Sequence, residues 1–273
     1  MISLFATIVA VYAGLVGVLY VSQRNLMYHP SDYAAAPAAS GAPEMRLAHH
    51  ETADGLRLTS WYAPARAGMA TLLYVHGNAG TVADRVFKVR PYLDRGYGVM
   101  LVGYRGYGGN PGAPSEQGLY RDGASAMAFL AAQGVAAGRV VLYGESLGTG
   151  VAVELAHRAA TQSPVAALVL EAPFTTMGDA AQSHYPFVPA KWLVKDKFDS
   201  ASKIAAVRAP LYVFHGDRDR VVPQKLGKTL FAAASEPKTG AWIAGAGHND
   251  LYDYGAAAGI LRFLAERVPP EAP

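Results

Sequence analysis

Three rhythms of apolar and polar residues follow one another along the chain. The first is an unbroken apolar run, ISLFATIVAVYAGLVGVLYV at residues 2–21, which carries no charge. Wound as a helix rising about 1.5 Å per residue, it reaches about 30 Å, the depth of a bilayer's hydrocarbon core. Tyr20 and Tyr28 fall where interfacial aromatics sit, and Arg24 lies just outside. No Lys or Arg precedes the run, and it exceeds the roughly 7–15 apolar residues of a secretory signal. The pattern predicts an uncleaved single-pass membrane anchor over residues 1–23, and leaves open which side the rest of the chain faces. PSDYAAAPAASGAP at 30–43 is rich in Pro, Ala and Gly, so residues 24–43 read as a linker.

The second rhythm is alternation. MRLAHH and LRLTSWY flank ETADG, whose Asp54-Gly55 is a turn signal, and together they predict an antiparallel hairpin. The third rhythm is a series of short continuous apolar runs: TLLYV (71–75), GVMLV (98–102), RVVLY (139–143), AALVL (166–170) and LYVF (211–214). Such runs suit strands buried on both faces of a parallel sheet. Helix-like segments separate most of them, at 81–95, 115–133, 147–162, 199–206 (with Asp199 as N-cap) and 223–234. TGAWIAG supplies a last strand and 250–267 a last helix. The prediction is an α/β domain over 44–268, with a mostly parallel central sheet and helices on both faces. APFTTMGDAAQSHYPFVPAKWLVKDKF, at 172–198, breaks the alternation and reads as a cap insertion over the top of the sheet.

Open α/β sheets bind ligands beyond the carboxyl ends of their strands. TLLYV is followed there by His76-Gly77-Asn78-Ala79-Gly80, and RVVLY by Gly144-Glu145-Ser146-Leu147-Gly148. LYVF is followed by His215-Gly216-Asp217-Arg218-Asp219, and WIAG by Ala246-Gly247-His248. A serine, an acid and a histidine, in that chain order, thus share one sheet edge, which is the order of a serine nucleophile on a strand-to-helix elbow. A serine hydroxyl needs a base to take its proton, and an imidazole does this near neutrality when a carboxylate orients it. Ser146 is therefore the candidate nucleophile and His248 the base, with Asp217 and Asp219 both open as the acid. The N–H of Leu147 is a candidate oxyanion donor, and a second is expected at Asn78, where nearby glycines let the backbone approach a substrate. Gly148, Ala152 and Ala156 give the helix after Ser146 a stripe of small residues for close packing.

Composition trims the alternatives. Of the 273 residues 51% are hydrophobic and 16% charged, an apolar balance in keeping with membrane contact. The net charge of +3 comes with no basic run, so nucleic-acid binding has little support. The chain has no cysteine, which excludes disulfides and a thiol nucleophile. No H-E-x-x-H or comparable ligand cluster appears, and His49, His50 and His157 read as structural, so neither metal nor cofactor is implied. Glu145 reads as tuning or bracing the elbow, and YRGYG (104–108) as a structural turn beside the site.

VHGNAG, YRGYGGNPG, GESLGTG, EAPFTT, HGDRDRVVP and GAGHNDL together resemble the α/β-hydrolase superfamily. Within it the chain is most similar to the membrane-anchored abhydrolase-domain serine hydrolases, which include lysophospholipases and acyl-protein thioesterases. The likeness runs from SQRNLMYHP to the last helix. It implies the α/β-hydrolase fold, with Ser146 as nucleophile, Asp219 rather than Asp217 as acid, His248 as base, and Asn78 and Leu147 at the oxyanion positions. It further implies hydrolysis of carboxylic esters or thioesters, acyl or lipid-derived, through an acyl-enzyme. The family often has an Asp where Gly103 stands, which puts the bracing of the YRGYG loop in question. Two other readings stand beside this one: an amidase or peptidase of the same fold, and a membrane-tethered binding module without catalysis. The presence of nucleophile, base and acid argues against the second.

Overall fold

Each short apolar run can be hidden from water only by covering both of its faces, and the architecture follows from that need. In the computed structural model, which describes residues 2–271, the sheet has eight strands. They are β1 (Arg46–Glu51), β2 (Arg57–Ala63), β3 (Thr71–Val75), β4 (Gly98–Leu101), β5 (Val140–Glu145), β6 (Ala167–Glu171), β7 (Leu211–Gly216) and β8 (Lys238–Ile243). Their order is β1-β2-β4-β3-β5-β6-β7-β8. β1 pairs antiparallel with β2, Arg46 opposite Tyr62 and Glu51 opposite Arg57. β2 meets β4 antiparallel, and every later pairing is parallel. All residues of β3, β5 and β6 are buried, which is why their sequences do not alternate.

The helices are α1 (Ile2–Met27), α2 (Val86–Leu93), α3 (Glu116–Ala132), α4 (Leu147–Ala159), α5 (Met177–His184), α6 (Ala190–Leu193), α7 (Gln224–Ala233) and α8 (Ala256–Arg267). α3, α4 and α7 cover one face, where Leu119, Val151 and Leu230 pack with Leu73, Leu142 and Val213. α2 and α8 cover the other, where Val89 and Ile260 pack with Leu72, Val141 and Val169. Ser115 caps α3 by accepting from Gly118 N at 3.2 Å.

The structure departs from the sequence reading in several places. Residues 199–206 do not form an α-helix, and a single 3-10 turn spans Ile204–Ala206. The amides of Ser200 and Ala201 reach across to Thr175 O, both at 3.0 Å, and tight turns follow. Asp199 caps one of these, its Oδ1 accepting from Ser202 N at 3.1 Å. α8 starts at Ala256, not at residue 250. α1 runs to Met27, so residues 24–27 are helical where a linker was expected. The stretch after it lies against the domain: His29–Pro30 pairs in parallel with Ala79–Gly80, Gly108 N donates to Ser31 O at 2.7 Å, and Ala42 is buried.

Gly103 is explained by space, since a Cβ there would stand 2.1 Å from Thr59 O. The loop is braced instead by Asn110, which exchanges hydrogen bonds with the backbone of Thr59 (2.8 and 3.0 Å), and by buried Arg105, which pairs with Asp54 and Asp122 (2.8 Å each). Arg105 thus bears out the reading of YRGYG as a structural turn. The insertion at 172–198 carries α5 and α6, and it leaves and rejoins the sheet layer through two buried residues of positive φ, Ala172 (49°) and Phe198 (42°).

Candidate functional site

β5 turns into α4 at Ser146, which has φ 50° and ψ −116°. That region is strained for a residue with a Cβ, by about 1–3 kcal/mol. Neighbouring geometry enforces it: Ser146 N donates to Glu171 O at 2.8 Å. A Cβ on Gly144 would lie 2.7 Å from Thr149 Cα, and one on Gly148 2.1 Å from Val75 O. Both glycines of G-x-S-x-G are therefore required by close approach of backbone to backbone.

The structure brings Ser146, His248 and Asp219 together from three separate loops. Ser146 Oγ lies 3.0 Å from His248 Nε2, and His248 Nδ1 lies 2.7 Å from Asp219 Oδ2. The carboxylate can only accept, so Nδ1 carries the proton and Nε2 is left to accept from the serine. Asp219 also takes the amides of Val221 and Val222 on Oδ1, both at 2.8 Å, and His215 Nε2 on Oδ2 at 3.1 Å. Burial acts to raise the Asp219 carboxyl, but the hydrogen bonds from His215 and His248 outweigh it and hold it well below the usual carboxylate range. Asp217 is exposed and accepts from Gly245 N at 2.8 Å, so it braces the neighbouring loop.

Asn78 and Leu147 both line a cavity above Ser146. Asn78 is fixed by its side chain, which donates to Met27 O at 2.8 Å, and by its carbonyl, which accepts from His29 N (2.9 Å) and Tyr107 Oη (2.8 Å); these bonds leave its N–H free of them. Leu147 opens α4, and its amide is among those a helix N-terminus leaves without intrahelical acceptors. His76, just before, donates from Nδ1 to Gly77 O at 2.8 Å, and burial pushes its imidazole down to about 4, so it is neutral at pH 7.

Sequence reading singled out Glu145 in the elbow as tuning or bracing it but missed the charges that surround it. Glu145 is held by Arg85 (3.0 Å), Lys88 (3.4 Å) and Tyr74 Oη (2.6 Å). Lys88 also pairs with Glu171 at 2.6 Å, and Glu171 accepts from Tyr143 Oη at 2.7 Å. Burial opposes ionisation of Glu145, yet Lys88 and Arg85 override it and keep it charged. Glu145 therefore braces: it ties the turn at Ser146 to the start of α2, just beyond the loop that holds Asn78. The only sequence signal was an acid at the ends of two adjacent core strands. Lys88 stands between two carboxylates with its own side chain 5% exposed and that of Glu171 1% exposed. Lys88→Met is expected to destabilise the fold by about 3–5 kcal/mol, because uncompensated charge stays buried. Urea denaturation measures this, and adding Glu171→Gln should restore part of the loss. His50, by contrast, is a buried structural residue between Ser125 Oγ (2.7 Å) and Ser60 Oγ (2.8 Å).

The cavity above Ser146 measures about 540 Å³. Its walls are apolar apart from a few side chains, and they come from α1 on one side and the insertion on the other. The arrangement offers an aligned hydroxyl, imidazole and carboxylate at the base of a greasy groove.

Comparison with known proteins gives a consistent picture. The family described as alpha/beta hydrolase fold matches residues 70–199. An uncharacterized protein of Mycobacterium tuberculosis is 41% identical over 267 residues, covering 96% of this chain and 94% of that one. Lysophosphatidylserine lipase ABHD12 of Macaca fascicularis is 35% identical over 196 residues, 66% of this chain and 49% of its own, so the chain spans about half the length of that relative. Among solved structures, an esterase of Pyrococcus furiosus superposes with a TM-score of 0.67 at 16% identity, covering 88% of this chain and 98% of that one. An alpha-beta hydrolase of Vibrio vulnificus gives a TM-score of 0.68 at 23% identity, covering 85% and 82%.

Proposed function

Because the chain belongs to the α/β-hydrolase superfamily, we propose that it is a serine hydrolase that cleaves carboxylic esters or thioesters of lipid-derived acyl groups, anchored in a membrane by α1. The observation that carries the reading is the 3.0 Å and 2.7 Å relay from Ser146 through His248 to Asp219 at the base of an apolar groove. Ser146 Oγ attacks the acyl carbon while its proton passes to His248 Nε2. Asp219 holds the resulting imidazolium in register. The carbonyl oxygen becomes an oxyanion, which the N–H groups of Leu147 and Asn78 stabilise, aided by the positive end of α4. The intermediate collapses, the alcohol or thiol departs with the proton from His248, and Ser146 keeps the acyl group. Water, deprotonated by the same imidazole, then releases the acid.

Lipid-derived acyl groups fit the greasy walls, and the ABHD12 relative, named as a lysophosphatidylserine lipase, points the same way. α1 supports the anchor, since Ser3–Met27 is long and apolar enough to cross a membrane by length and composition. Matched p-nitrophenyl ester and p-nitroanilide substrates with one acyl group test the reading. The ester is expected to react with the higher kcat/KM, and a preference for the anilide would make the protein an amidase.

A further inference from the structure

α1 does more than tether. Val16, Leu19 and Met27 are half-buried while Val18 and Val21 on the other side are 64% and 77% exposed. The spacing 16, 19, 23, 27 is one face of a helix. That face lines the groove opposite Met177, Ala181 and Val194 of the insertion, with Ser146 at the base. Its one polar member, Gln23, is taken up by Leu193 O (3.3 Å) and Lys195 N (2.7 Å). The helix is also fastened to the site: Met27 O accepts from Asn78 Nδ2 at 2.8 Å, and Arg24 grips buried Asp196 through two hydrogen bonds of 2.8 and 3.0 Å.

The insertion follows α1 outward. Tyr12 Oη donates to Phe187 O at 2.8 Å, twelve residues along the helix from the Arg24 pair. At 1.5 Å per residue that is about 18 Å, more than half of a bilayer's apolar core. A segment at that depth must satisfy its own backbone, since lipid offers no hydrogen bonds. The tip, YPFVP at 185–189, satisfies most of its backbone groups internally. Two of its residues are prolines without an N–H, Gln182 Nε2 donates to Tyr185 O (3.1 Å) and Pro186 O (3.3 Å), and Val188 N donates to Tyr185 O (3.1 Å). Phe187 and Trp192 stand 87% and 84% exposed, while the Lys191 ammonium is turned back onto Asp179 at 2.7 Å.

We propose that α1 and the cap tip enter the bilayer together and form the two walls of an acyl-chain channel that opens sideways into the leaflet, so that the substrate is a membrane-resident lipid whose acyl chain reaches Ser146 without crossing water. This rests on the serine-hydrolase reading and adds that the anchor is a specificity element.

The test uses the full chain and the ratio of kcat/KM for p-nitrophenyl dodecanoate to that for p-nitrophenyl butyrate. Leu19→Trp, which fills the channel from the α1 side, is expected to lower the ratio by about tenfold or more. Val16→Phe makes the same point with a smaller graft, and Val18→Trp, on the lipid-facing side, should leave both rates and the ratio as they are. An unchanged ratio in both channel variants, or an equal fall in Val18→Trp, would overturn the proposal. Quenching by vesicles of dibrominated phosphatidylcholine gives a readout independent of turnover. Wild-type fluorescence should be quenched, and Trp192→Phe should remove most of that quenching, whereas identical quenching in the two would place the tip outside the lipid. If neither ester is hydrolysed while quenching at Trp192 persists, the enzymatic reading fails and the membrane seat of the tip stands.

Discussion

Ser146→Ala is expected to lower kcat on a p-nitrophenyl ester by about ten-thousand- to a million-fold, the scale on which serine-histidine-acid sites fail when the nucleophile is removed. The substitution takes away one atom, Oγ, whose hydrogen bond is to His248 Nε2 at 3.0 Å. The strained backbone at φ 50° remains, because Ala carries the same Cβ, and the hydrogen bond from residue 146 N to Glu171 O remains as well. Stability should therefore stay within about 1 kcal/mol. What activity persists would come from the oxyanion donors and the groove acting on a bound ester and water. A variant that keeps more than about one hundredth of the rate would show that the chemistry lies elsewhere.

Asp219→Asn should cost about ten-thousand-fold in kcat, for a reason that can be read atom by atom. Asp219 offers four acceptor positions and all are used: two amides on Oδ1, and two imidazoles on Oδ2. An amide has one oxygen. If that oxygen keeps Val221 N and Val222 N, an NH₂ group faces His248 Nδ1. The imidazole must then carry its proton on Nε2, where it no longer accepts from Ser146. Asp217→Asn is the matched control. Its bond from Gly245 N survives with an amide oxygen, so the barrier should change by no more than about 0.5 kcal/mol, a little over twofold in rate. Steady-state kinetics on the two variants distinguishes the acids. The depressed carboxyl of Asp219 also fixes a sign: its contribution to stability is present above the ordinary carboxylate range and is lost as the pH falls through and below it.

The layout was legible in the sequence because both of its codes are local. Continuous apolar runs mark doubly covered strands, and the residues just after them must sit on the carboxyl edge, which puts Ser146, His248 and the Asp217-Asp219 pair there. Asp219 could not be separated from Asp217 by pattern, since two residues of a loop differ only in which way they turn. Residues 199–206 misled for a related reason: their propensity is helical, but the amides of Ser200 and Ala201 are drawn to Thr175, a partner 25 and 26 residues back. The Glu145, Lys88 and Glu171 cluster was invisible because its members lie on β5, α2 and β6 and meet only when the sheet closes. The same is true of the groove. An apolar helix at the chain start says that it is buried in something, lipid or protein, and only the fold shows one side of it over Ser146.

The most direct measurement is the covalent one. The full chain is treated with a fluorophosphonate, digested and analysed by mass spectrometry for the modified residue, beside Ser146→Ala. One adduct per chain, on Ser146 and absent from the variant, is the result this account predicts. Folded protein that never labels, or a label that persists in Ser146→Ala on another residue, would contradict it.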